Sequence, residues 1–165
     1  MDKRWYGIIL VLILGIGCMY LIAETSYNIG SAIRMVGDTS VTIPDNFKVN
    51  SNEQPTLILQ NRNNNETILV KYISNGNHSQ QEYDTHIKTK NKDLKIIKHV
   101  SNETAKTIYY KNITSDKEFL MSYVDAYDRT ILIKMENYDN KDKQDSDLMF
   151  IINGLQPDYK QSTRS

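Results

Sequence analysis

Apolar residues are spaced in two ways along this chain: one unbroken run near the start, then a long stretch in which apolar and polar positions alternate. From Trp5 to Ala23 no residue is charged. These nineteen residues would reach about 28 Å at the rise of an α-helix, close to the hydrocarbon thickness of a bilayer, so a membrane-spanning helix is expected over 5–23. Lys3 and Arg4 precede the run, Glu24 follows it, and the next basic residue is Arg34. The positive-inside bias then keeps residues 1–4 in the cytoplasm and places everything after the span on the far side. Trp5, Tyr6 and Tyr20 stand where amphipathic rings favour the headgroup level. A cleaved signal peptide would end a shorter apolar core at a small-x-small site, which is missing here. Lipidation at Cys18 would need leucine where Gly15 stands and a polar turn where Met19–Ala23 stays apolar. The run therefore reads as an uncleaved anchor.

Residues 24–37 hold two glycines and little periodicity and are expected to be a tether. The pattern then becomes that of strands. Thr39–Ile43 alternates with Val41 and Ile43 on one face and stops at Pro44, which lacks the N–H a ladder needs. Asp45-Asn46 forms a turn, and Phe47 and Val49 return apolar groups to the core. Strands are expected over Leu57–Gln60 and Glu66–Ser74, joined by Asn61–Asn65, because asparagine tolerates the positive φ of a hairpin turn. Ser79-Gln80-Gln81-Glu82 has the form of a capping box opening a helix to about Asn91, whose weak stripe of Tyr83 and Ile87 suits the domain surface. Four extended segments follow: Leu94–Val100, Lys106–Asn112, Glu118–Ala126 and Arg129–Glu136. Phe119, Met121 and Tyr123 share a face of the third, Ile131, Ile133 and Met135 a face of the fourth, and Asp125–Asp128 is short enough for a tight antiparallel connection. A closing helix over Asp142–Leu155 carries Leu148, Ile151, Ile152 and Leu155 at helical spacing, with Asp145 and Asp147 early and Gly154 and Pro157 at its end. The tail, 158–165, is polar. Strand runs joined by hairpins imply an α+β domain over 38–157: an antiparallel sheet of about six to seven strands covered by two helices.

Charge adds one exclusion. Lys plus Arg and Asp plus Glu both number 20, and without Asp2, Lys3 and Arg4 the remainder holds 18 basic against 19 acidic residues. The lysines read as interleaved with acids, so no nucleic-acid partner is expected. Cys18, the single cysteine, lies inside the apolar run, so stability must come from a packed core rather than a disulfide.

Chemistry is sparse. His78, His86 and His99 lack metal-ligand spacing, no H-E-x-x-H, C-x-x-C or G-x-S-x-G occurs, and the acidic run Asn137–Asp147 has lysines and no glycine where a calcium loop needs one. No catalytic, cofactor-binding or metal-ligating residue and no cofactor is expected. Asn65, Asn77, Asn102 and Asn112 each open an N-x-S/T sequon in or beside an expected turn, and on an exported domain they are candidate glycosylation sites. Tyr72, Tyr109, Tyr110, Tyr123 and Tyr127 form a candidate binding face, since tyrosine combines contact area with a polar tip.

An opening strand that breaks at Ile-Pro before an aromatic residue (VTIPDNFKV), a mid-chain helix, a strand meander and a final amphipathic helix (LMFIINGLQP) resemble the PsbP/Mog1/DcrB-like superfamily over about residues 38–157. Members usually carry Trp after the Ile-Pro turn, where this chain has Phe47. The resemblance implies a noncatalytic, often extracytoplasmic accessory module with no catalytic residues to carry over. The expected role is thus that of a single-pass membrane protein, anchored in the bilayer through 5–23, whose extracytoplasmic domain binds another envelope protein or a ligand. Two alternatives stand beside it: an envelope enzyme or metal-dependent factor that gathers His78, His86 or His99 with distant acids, and a structural, glycosylated surface protein.

Overall fold

The computed structural model describes residues 33–89 and 91–157. The expected cytoplasmic N-terminus, the anchor over 5–23, residues 24–32 of the tether and the tail over 158–165 lie outside the described residues. Among those described, no helix is long and apolar enough to cross a membrane.

The elements run β1 (Ile33–Val36), β2 (Thr39–Thr42), β3 (Phe47–Glu53), β4 (Thr56–Asn61), β5 (Thr67–Asn75), α1 (Ser79–Lys88), β6 (Leu94–Ser101), β7 (Ala105–Asn112), β8 (Glu118–Asp125), β9 (Arg129–Glu136), α2 (Lys141–Gly154) and β10 (Gln156–Pro157). Seven strands make one antiparallel sheet in the order β3-β4-β5-β9-β8-β7-β6, and β1-β2-β10 make a smaller one. The domain is α+β, as the alternating pattern predicts.

Strand alternation gives the large sheet two faces with different covers. Ile131, Ile133 and Met135 of β9 point to one side, level with Ile68 and Val70 of β5 and Leu120 and Val124 of β8. All seven are buried. Onto them α2 lays Leu148, Ile151 and Leu155, and the small sheet adds Val36 and Val41. Each such side chain removed from water contributes roughly 1.5–3 kcal/mol, so this face holds the main core. On the other face Tyr110 of β7 and Tyr123 of β8 are buried beneath α1, their rings against His86 at 5.6 and 6.0 Å.

Several local expectations are corrected. The tether ends earlier than Gly37, because Ile33–Val36 is a strand paired with β2 through the two-residue turn Gly37-Asp38. Gly37 adopts φ +61 there, and a Cβ would meet the Tyr72 ring at 2.8 Å. Asp38 then accepts hydrogen bonds from the Arg129 guanidinium, one at 2.6 Å, which ties the small sheet to β9 and holds the Asp38 carboxyl below its usual range. Ser79 makes no capping box. It is the first helical residue, and its N–H (3.0 Å) and hydroxyl both donate to the Asp125 carboxylate. A carboxylate from β8 thus meets the positive end of α1, where the helix dipole favours it. The helix stops at Lys88, short of Asn91. Gly154 is not a left-handed cap but the last helical residue, where a Cβ would meet Thr42 Oγ1 at 2.6 Å.

Candidate functional site

β6 is one edge of the large sheet, and seven of its eight residues are exposed. Its sequence, LKIIKHVS, places Ile96, Ile97 and Val100 at 41%, 44% and 41% exposure. Among the described residues it pairs with β7 alone, so its outer row of backbone N–H and C=O groups is unsatisfied by the sheet. Such a row is a template for another strand.

The register with β7 fixes which side chains share a face. Leu94 lies opposite Asn112, Lys95 opposite Lys111 and Ile96 opposite Tyr110; after a bulge at Ile97, Lys98 lies opposite Tyr109 and Val100 opposite Thr107. Tyr110 faces α1, so Leu94 and Ile96 face it too. Tyr109 faces α2, where its hydroxyl donates to Asp145 Oδ1 at 2.7 Å, so Lys95, Lys98 and Val100 share that side. The bulge is what keeps Lys95 and Lys98, three residues apart, on one face.

A groove flanks the strand on each side. Between β6 and α1 a cavity of 480 Å³ is lined by His86, Ile87, Leu94, Ile96 and Tyr110 among others. Between β6 and α2 a second, of 320 Å³, is lined by Lys98, Val100, Tyr109, Met149 and Ile152 among others. Met149, in the helix wall of the second groove, is 49% exposed, and Phe150, next to it in sequence, 41%.

Burial acts on the titratable groups around these grooves. It depresses the His86 imidazole below its ordinary value. Burial likewise raises the Tyr110 and Tyr123 phenols to about 12. The Tyr109 phenol is also raised, by burial first and then by its hydrogen bond to Asp145. At neutral pH the grooves therefore present neutral aromatic walls.

Charge sits on the strand instead. Over 88–98 the chain has five lysines against Asp93 alone, so the even interleaving of lysines and acids does not hold locally. Lys88, Lys92, Lys95 and Lys98 are exposed, and no ion pair among the described residues involves them. The Lys98 ammonium instead lies 5.5 Å from the centre of the Tyr109 ring.

The five candidate tyrosines are not brought to one face. Tyr110 and Tyr123 are buried beneath α1, Tyr109 lies on the α2 side, Tyr72 packs on the main core with its hydroxyl on Asn75 at 2.6 Å, and Tyr127 is exposed in the β8–β9 turn. Adjacent strand residues point to opposite faces, which separates Tyr109 from Tyr110. The sequon asparagines do lie in connections or at a strand end: Asn65, Asn77 and Asn102 are exposed, and Asn112 is half-buried at the close of β7. Asn102 and Asn112 use Oδ1 to accept backbone N–H groups of the following turns. The histidines are dispersed: His78 precedes α1 without a side-chain capping bond, His86 faces Tyr110 and Tyr123, and His99 lies in β6. Among the described residues no three His, Cys, Asp or Glu side chains converge as a metal site would require. Sequence reasoning missed β6 as the site, although its adjacent isoleucines and its lysines were visible.

No protein-family model and no curated protein matches this chain. A solution structure of cyanobacterial PsbP from Synechocystis sp. PCC 6803 is similar at 11% sequence identity, covering 78% of this chain and 94% of that one with a TM-score of 0.46.

Proposed function

We propose that this protein is a membrane-anchored, noncatalytic binding module whose domain lies outside the cytoplasm and engages another protein of the envelope. The observation that carries the reading is the β6 edge: a strand whose outer side is unpaired among the described residues, with exposed isoleucines and a groove on either side. Soluble domains ordinarily blunt such an edge or cover it, because an open apolar strand recruits other chains. The anchor reading rests on the uncharged run over 5–23 and on Lys3 and Arg4 before it.

The test is photo-crosslinking in intact membranes, with a photoreactive residue introduced into the full-length chain at 97, at 127 or at 50. A discrete product carrying a second protein is expected at 97. No product at any of the three positions would count against a binding role. Recovery of the full-length chain from the soluble fraction would remove the anchor.

A further inference from the structure

We infer that β6 accepts an added strand from an extended, acidic segment of a partner protein, one in which apolar and acidic residues alternate. The inference rests on the binding-module reading and specifies its ligand.

Period two is imposed by the strand itself. A segment added along β6 has its alternate side chains on opposite faces of the sheet. On the α1 side those side chains meet Leu94 and Ile96 and the 480 Å³ groove backed by Ile87 and Tyr110, a mainly apolar and aromatic lining to which Thr89, Asn91 and Lys92 add polar groups. On the α2 side they meet Lys95 and Lys98, exposed and without a carboxylate partner among the described residues. An apolar residue is therefore favoured at one parity and an aspartate or glutamate at the other. Opposite charges facing each other across a strand pair stabilise it, and like charges oppose it.

The same geometry argues against a second copy of this chain as occupant. Two β6 strands paired antiparallel about the Lys95–Lys98 segment would bring the lysines of one against those of the other. Complementarity of charge points to an acidic strand. Backbone hydrogen bonds supply sequence-independent affinity, the groove reads the apolar parity, and the lysines read the charge.

The experiment uses the purified full-length chain in detergent and two ten-residue peptides, one alternating valine with aspartate and one alternating valine with lysine. The valine–aspartate peptide is expected to bind, and to slow hydrogen exchange at β6 amides that face away from β7. Lys95→Glu combined with Lys98→Glu, both at exposed positions, should weaken it by about tenfold and transfer the preference to the valine–lysine peptide. Thermal unfolding of the double variant, unchanged from the parent, establishes that its fold is intact. Equal binding of both peptides, or binding without protection of β6, would overturn the inference. So would dimerisation through β6, or binding to phosphatidylglycerol vesicles and not to peptide. A crosslinked partner at 127 or 50 but not at 97 would sink strand addition while leaving the binding-module reading intact.

Discussion

β3 and β6 are the two edges of one sheet, and each is interrupted by a bulge, at Val49/Ser51 and at Ile96/Lys98. Beyond that they differ. The outward positions of β3 are Lys48, Asn50, Asn52 and Glu53, all exposed and polar, while Phe47 is buried and Val49 half-buried against the main core. The turn after β3 is fastened by Gln54, which accepts from the Gly37 N–H at 2.6 Å and donates to the Met35 carbonyl at 2.7 Å. The Phe47 ring lies 6.4 Å from that of Tyr138, and the Lys143 ammonium sits over both, bound in turn to the buried Glu66 carboxylate. Asn61 donates to the same carboxylate at 2.6 Å, so the buried charge is satisfied. The turn after β6 is held by Asn102 Oδ1, which accepts from the Thr104 and Ala105 N–H groups at 3.0 and 2.7 Å, but among the described residues no network like that of Phe47, Tyr138, Lys143 and Glu66 secures β6. Its isoleucines Ile96 and Ile97 are 41% and 44% exposed, its lysines lack carboxylate partners among the described residues, and a groove opens on each side. Both edges leave their outer backbone row unpaired among the described residues, but β3 turns polar side chains to solvent where β6 exposes isoleucines.

The comparison breaks most readily at Phe47. Phe47→Ala removes a buried ring that joins the β3 edge, Tyr138 and Lys143, and a loss of about 3–5 kcal/mol is expected. Urea unfolding followed by circular dichroism measures it, with the midpoint falling and the denaturant slope unchanged. A loss below about 1 kcal/mol, the range of an exposed position, would mean that β3 is no better secured than β6.

These two edges also show where sequence reading succeeds and where it stops. Alternation located β2, β4, β5 and the meander β6–β9, because each of these carries β-branched or aromatic residues at period two or in short runs. The stripe of Leu148, Ile151, Ile152 and Leu155 located α2 for the same reason at period 3.6. β1 reads as tether from the sequence, since four residues, IRMV, offer too short a window to show alternation and the signal lies in the Gly37-Asp38 turn. β10 is two residues, one of them proline, paired with Ser40 and Thr39. The N-terminus of α1 failed differently: Ser79 and Glu82 have capping-box spacing, yet a carboxylate distant in sequence, Asp125, takes the Ser79 donors. The site itself escaped because strand order is a long-range property. Ile96-Ile97 reads as a buried strand until the bulge and the edge position are known, and the bulge also decides which lysines share a face.

A smaller effect should distinguish the β6 side by pH. His86 belongs to α1, faces the Tyr110 and Tyr123 rings from β7 and β8, has Glu82 one turn before it, and is held neutral by burial. Its folded pKa lies below the ordinary 6.5, so the unfolded chain takes up the proton first. The resulting stability is fully present above 6.5 and declines as pH falls from there to the depressed folded value. Asp147, raised by burial, works in the opposite sense at more acidic pH, and Asp38, lowered by Arg129, loses its contribution lower still. Comparing urea midpoints of the parent and His86→Gln between pH 8 and 5 isolates the histidine. The parent should lose stability more steeply below pH 6.5, and parallel curves would remove His86 as a titrating support of the α1 groove.

The smallest expected change in stability is at Ile97, and it is the most informative about function. Ile97 occupies the bulge, outside the register that seats Ile96 and Lys98, and is 44% exposed. Its side chain contributes little to the core, so Ile97→Lys should alter unfolding free energy by no more than about 0.5 kcal/mol. The same substitution adds a like charge beside Lys95 and Lys98 and removes apolar area from the open edge. If this open side of β6 is where a partner docks, crosslinking capture at the neighbouring position 96 should fall sharply in this variant. If stability dropped by several kcal/mol instead, Ile97 would belong to the packing of the domain, and the contrast between the two edges would lose its central residue.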